Sequence, residues 1–192
     1  MAVFLILAPY GVFAALMLVT SATVSLFTSA AICLAVIAFD VVCGRSVKIL
    51  GAGSVIVFAA VGGYLALIDP SLSNSAARSA VDAGIFLVSL MSIVARYPFT
   101  LQYAREMVDA ETAKMPGFIQ ANYLITLAWT GASLLMMIGN IAMIYVPNLP
   151  LWSGLLIAFA ARNSAMYFTK WYPEYRKAKY ATPPANALPG TH

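Results

Sequence analysis

Apolar runs of bilayer length recur along this chain, separated by short polar breaks, and no other feature narrows its fold so much. A membrane-crossing helix needs about twenty mostly apolar residues. Six such runs are legible, over residues 3–20, 23–43, 49–68, 80–95, 118–145 and 151–168. The breaks between them have physical causes. Thr20, Ser21 and Ala22 form a short turn, and Gly44-Arg45 is a helix stop with a cationic flank. At Asp69-Pro70 the proline bars continuation. Residues 71–78 are a polar, Ser-rich loop, and residues 146–150, with two prolines and an asparagine, form a tight hairpin. Pro9 predicts a kink in the first run, of the kind neighbouring helices tolerate. The fifth run exceeds bilayer thickness, which predicts tilt or projection.

Composition closes the alternative of a soluble fold. Apolar residues make up 62% of the chain and charged residues 9%, against about 25% charged in ordinary soluble domains. Such a chain lacks the polar surface to cover its own core, and its mean hydropathy is +0.87. The sequence therefore predicts an all-α membrane protein: a bundle of about six transmembrane helices with short loops and one interfacial amphipathic helix. Residues 1–182 form a single membrane domain, and residues 183–192, rich in Pro, Ala and Gly, a disordered tail. The first 44 residues hold no Lys or Arg, so the basic start of a signal peptide is missing and the first run reads as a retained span.

The net charge of +4 points to orientation rather than to nucleic acid, because the basic residues sit at helix ends and no soluble basic patch carries base-stacking aromatics. With six spans, Arg45, Lys48, Arg96, Arg105, Lys114, Lys170, Arg176, Lys177 and Lys179 share one side, while Arg78 stands on the other. The positive-inside rule then places both termini in the cytoplasm. Trp152 on one face, and Tyr97, Phe99, Trp171, Tyr172 and Tyr175 on the other, fit aromatic belts.

Several chemistries are excluded. Cys33 and Cys43 are ten residues apart on one helix, about 15 Å by helical rise, and cannot form a disulfide together. His192 is the sole histidine, so neither zinc nor haem held by histidine fits, and no cofactor is expected. Gly51-Ala52-Gly53-Ser54 lacks the Lys-Ser/Thr of a phosphate loop and reads as a small-residue packing site.

Polar residues inside a bilayer are costly and mark candidate sites. Ser25, Ser29, Cys33 and Asp40 share one face of the second run, and Asn122, Thr126, Thr130, Ser133 and Asn140 one face of the fifth. Gly154, Ala158 and Arg162 recur on the sixth, with Asn163 beside the arginine. The hydroxyls and small residues read as packing. Asp40, Arg96, Arg162, Asn140 and Asn163 form the candidate buried cluster, in which Asp40 is expected to pair with Arg162 or Arg96. Asp82 lies near the opposite membrane face, too far away to join Asp40 and Glu106.

Residues 97–115 are the one substantial extramembrane element. Pro98 suits a first helical position, and Phe99, Tyr103 and Met107 recur at four-residue spacing opposite Glu106, Asp109, Glu111 and Lys114. The segment reads either as an amphipathic helix in the interface or as an extension of the fourth helix. Phe99, Tyr103, Arg105, Glu106 and Met107 are its candidate partner-docking residues.

The stretch Pro98-Phe99-Thr100-Leu101-Gln102-Tyr103-Ala104-Arg105-Glu106, continuing to Asn122, Thr126 and Trp129, resembles a motif of a group of uncharacterised bacterial membrane proteins. More distantly the chain is similar to the intracellular septation protein A family. The shared marks are Asp69-Pro70, the junction from Arg96 to Pro98, and a helix with Asn122, Trp129 and Asn140, over about residues 38–170. The resemblance implies a polytopic inner-membrane protein of envelope maintenance that acts through protein partners. Three functions follow as expectations. The first is a non-enzymatic scaffold docking through residues 97–115. The second is a small transporter or channel for an ion or small polar solute. A membrane enzyme comes last, since acid–base work needs at least two placed titratable groups.

Overall fold

The computed structural model describes residues 2–146 and 149–180. The expected tail at 183–192 lies outside the described residues, as do two positions of the expected hairpin. Among the described residues there are helices and turns but no strand. The helices are α1 (Ala2–Val19), α2 (Ala22–Val42), α3 (Ile49–Leu67), α4 (Asn74–Val94), α5 (Phe99–Arg105), α6 (Pro116–Tyr145) and α7 (Leu151–Tyr180), with a 3-10 turn at Thr112–Lys114 before α6. Four of them, α2, α3, α4 and α6, are long and apolar enough to cross a membrane, and the protein is an all-helical membrane bundle. In α1, whose side chains are described from Ala8 onward, the stretch Ala8–Val19 is likewise apolar.

The ends of these helices are written locally. Ser21 caps α2 by accepting from the Val24 N–H at 3.3 Å, and Ser73 caps α4 by accepting from Ala76 at 3.2 Å. The cap at Ser73 draws part of the expected Ser-rich loop into α4, which therefore starts six residues before the expected span. Gly44, at φ 70°, closes α2 in the left-handed conformation that glycine adopts without penalty. The Arg45 N–H then bonds back to Asp40 O at 2.8 Å. Arg96, at φ 58°, closes α4 the same way, with Tyr97 N–H on Ser92 O at 2.9 Å. Here a side chain occupies a position glycine would favour.

Consecutive helices pack on one another from α1 to α4, after which α4 packs on α6 and α6 on α7, while α5 sits against α6. One core joins Phe13, Met17, Leu26, Phe58, Leu65, Val81, Ile85 and Phe99, and a smaller one joins Ala132 and Met136 of α6 to Ala161 and Ala165 of α7. The α3–α4 contact is reciprocal. A Cβ added to Gly53 would meet Val88 Cγ1 at 2.6 Å, and one added to Gly84 would meet Val57 Cγ1 at 2.6 Å. Glycine and valine thus alternate in opposite order on two antiparallel faces, and the backbones approach because the glycines have no side chain. Large apolar residues such as Ile56, Leu67, Leu135 and Phe159 point outward, as in a bundle solvated by lipid. Some buried hydroxyls are satisfied within their own helices: Ser29 donates to Ser25 O at 2.7 Å and Thr130 to Thr126 O at 2.8 Å.

The segment 97–115 departs from expectation. It neither extends α4 nor forms one amphipathic helix. The left-handed turn at Arg96 and the following proline separate it from α4, and α5 ends after seven residues. Asp109 supplies the competing structure: its carboxylate accepts from the Glu111 and Thr112 N–H groups at 3.0 and 2.9 Å. A side chain that binds its own downstream amides favours a turn over continued helix.

Candidate functional site

Asp40 forms no ion pair with Arg162 or Arg96. Its carboxylate takes Lys48 Nζ at 3.0 Å and Arg45 Nη1 at 3.4 Å, and Lys48 Nζ also reaches Glu106 Oε1 at 2.9 Å. The reason is local. The glycine-terminated turn after α2 folds the chain back within five to eight residues, so two cations linked to Asp40 by a short loop reach it first. Lys48 is almost wholly covered, its side chain 4% exposed. A buried ammonium must be paired, and here it is held by carboxylates from two elements and lies 5.7 Å from the Tyr103 ring centroid.

This ionic corner ties α5 to the rest of the bundle. Gln102 Oε1 accepts from the Ile49 N–H at 2.8 Å, capping the first turn of α3. Thr100 Oγ1 bonds Asn122 O at 2.8 Å and Thr126 Oγ1 at 2.7 Å on α6, and the Phe99 N–H bonds Ser92 Oγ at 3.2 Å. Phe99, Leu101 and Gln102 are buried as a result. The expected docking surface is corrected accordingly. Phe99 belongs to the core, Tyr103 is half-buried against the crevice described next, and Glu106 is engaged by Lys48. Arg105 rests on the Tyr97 ring, 5.6 Å from its centroid, while Met107 stands outward at 71% exposure. Burial, with the Tyr10 and Asp40 groups in reach, pushes the Tyr103 phenol above its ordinary ionisation range. At the far side of the loop, the Thr112 N–H and hydroxyl hold the Asp109 carboxyl below its ordinary value.

Behind the ionic corner a crevice of about 50 Å³ runs between α1, α2 and α3, with Tyr103 and Glu106 as its α5 wall. That space suits about one or two water molecules. Pro9, Val36, Ile37 and Leu50 make its sides apolar, and Cys33, Tyr10 and Ser54 lie among its lining residues. The Ser54 hydroxyl donates to Leu50 O at 2.6 Å, which leaves its oxygen to accept from the Tyr10 hydroxyl.

A second polar group lies further along the bundle. Asn140 Nδ2 on α6 donates to Asp82 Oδ2 on α4 at 2.7 Å. Asp82 is eight residues into α4, about 12 Å along its axis. Arg78 lies one turn before Asp82 on α4. Among the described residues no ion pair joins Arg162 to Asp82 or to Asp40. The remaining candidates stay apart from both groups. Arg96 is exposed at the end of α4, and Asn163 is exposed with its amide donating to Phe159 O at 2.8 Å within its own helix. The sequence reading missed Lys48, Gln102, Tyr10 and Ser54 as site residues. The signal for Asp82 was present: it and Asn140 lie at similar depth from the same end of two antiparallel helices.

No family model, no curated protein and no solved structure matches the chain. Among the described residues no group of three or more Cys, Asp or Glu could hold a metal ion.

Proposed function

We propose that this chain is a non-enzymatic, six-span protein of a bacterial inner membrane, with α1 and α7 as its outer spans and both termini cytoplasmic, that passes a small polar solute or ion across the bilayer. The asymmetry of its basic residues supports the orientation. The observation that carries the function is the Asp82–Asn140 contact at 2.7 Å inside the span region. Ionisable groups in that environment are expensive, and they mark solute and ion pathways in membrane proteins. The crevice from the ionic corner to Tyr10 and Ser54 supports a vestibule on the cytoplasmic side. Its lining holds Asp40, Glu106, Arg45 and Lys48, two charges of each sign, so its formal charges cancel.

Purified protein in liposomes tests this reading. Swelling under glycerol or urea gradients, and pyranine signals under proton and potassium gradients, would exceed those of empty vesicles for at least one probe. Asp82→Asn would reduce that signal. Vesicles no leakier than empty ones for all four probes would reject the reading.

A second reading, a scaffold of envelope maintenance, is favoured by Met107 and Met115, which stand 71% and 54% exposed on the α5–α6 connection. Partners that co-purify with the parent and are lost on Met107→Ser with Met115→Ser would support it. This reading also carries the resemblance to the septation-protein family.

A further inference from the structure

The crevice has a wall that differs from the others. α1, α2 and α3 are core helices, but the fourth side is built from Tyr103 and Glu106 at the end of a seven-residue helix. The start of α5 is anchored, with Phe99 buried and Thr100 bonded to α6. Beyond Gln102 it is held by the Glu106–Lys48 pair, the Tyr103 ring over Lys48 and the packing of Tyr103 on the core. After Glu106 the chain turns away into exposed Met107 and a loop. One end of α5 is therefore fixed, while the other is held by the Tyr103 ring and by one carboxylate that is itself 31% exposed.

Lys48 does not depend on that latch alone. Asp40 holds it at 3.0 Å, so loss of Glu106 leaves the ammonium paired. Release of the α5 end is thus not coupled to an uncompensated buried charge, which would otherwise be costly. What release uncovers is a cleft with hydroxyls (Tyr10, Ser54), a thiol (Cys33) and a charge-balanced rim. Hydroxyls offer hydrogen bonds without selecting for charge.

We propose that the end of α5 is a lid over this crevice, latched by Glu106 on Lys48, and that the crevice, widened when the lid opens, binds a small uncharged polar solute. The proposal rests on the geometry of the crevice and does not require that the solute be carried across the membrane.

Cys33 reports on the lid directly. It lines the crevice and is 3% exposed, while the chain's other cysteine, Cys43, is exposed and can be removed as Cys43→Ser. In that background Cys33 is treated with three methanethiosulfonates: a small neutral methyl reagent, a cationic aminoethyl one and an anionic sulfonatoethyl one. The expected result is slow reaction in the parent and at least about tenfold faster reaction in Glu106→Gln, the scale of one charge-assisted hydrogen bond. The neutral reagent should react fastest of the three. A protein with parental elution and melting behaviour whose Cys33 reacts at the same rate with and without Glu106→Gln would overturn the lid. Fastest reaction with a charged reagent would overturn the solute class. Failure of the liposome fluxes alone would reject transport and leave the lid standing.

Discussion

Asn140 on α6 and Asp82 on α4 meet at 2.7 Å within the most extensive helix pair of the molecule. An amide and a carboxylate that find each other in a lipid-solvated bundle are linked by need, since neither is satisfied by hydrocarbon. A double-mutant cycle of Asp82→Ala and Asn140→Ala, read as unfolding in mixed micelles, should give a coupling of about 0.6–1.7 kcal/mol, the range for polar side-chain pairs between membrane helices. Additive single effects would mean that the contact contributes nothing to stability.

The reciprocal Gly53–Val88 and Gly84–Val57 contacts predict an interlocked seam. Gly53→Ala or Gly84→Ala should each cost about 1–3 kcal/mol, because valine is stiff and its Cβ also lies close, at 3.2 Å. Val88→Ala should relieve Gly53→Ala but not Gly84→Ala. Melting temperatures in one detergent would show whether rescue follows that pairing.

Gln102→Ala removes the acceptor for the Ile49 N–H. The expected cost is about 1 kcal/mol, as for loss of other helix N-caps. Hydrogen exchange should speed first at Ile49 and its α3 neighbours. Unchanged protection there would show that another group takes over the cap.

Arg96→Gly is expected to stabilise the protein by about 1 kcal/mol, by relieving the left-handed backbone at φ 58°. Arg96 is exposed, so the substitution removes no buried contact. A lowered melting temperature would mean that the arginine contributes more at the membrane surface than its backbone costs.

The Asp109 turn has a defined acid limit. Its folded ionisation range lies below the ordinary carboxylate value, chiefly through the Thr112 N–H bond. A depressed acid contributes stability that is fully present above the ordinary value of about 3.9 and fades as pH falls through the lower folded one. The Glu111 and Thr112 amides should therefore stay protected at neutral pH. Their protection, measured against Asp109→Ala as baseline, should be lost only below about pH 4.

The helix stops were legible because each rests on neighbours in sequence: Gly44, Asp69-Pro70 and Arg96-Tyr97-Pro98 act within a turn of themselves. The cluster partners were less legible. Asp40 was matched with distant arginines by depth alone, whereas the backward turn at Gly44 brings Lys48 and Arg45 to it first. The four-residue spacing of Phe99, Tyr103 and Met107 suggested one continuous face, but the Asp109 turn ends the helix before that face is complete. Phe99 was read as a surface residue because nothing local records that Thr100 will be drawn onto α6. Asp82 was read only by its distance from Asp40, whereas its partner Asn140 comes from α6, whose rotation about its own axis no local pattern fixes.

The cap on α3 also sets an order of events during synthesis. The first turn of α3 is closed by a residue 53 positions downstream, and Lys48 gains its second carboxylate only when Glu106 has emerged. A nascent chain that has delivered three helices therefore carries an uncapped amide and a half-paired ammonium at the same corner. Until residue 106 leaves the ribosome, water at the membrane face has to stand in for both partners, so the corner closes only after the fourth helix has been made.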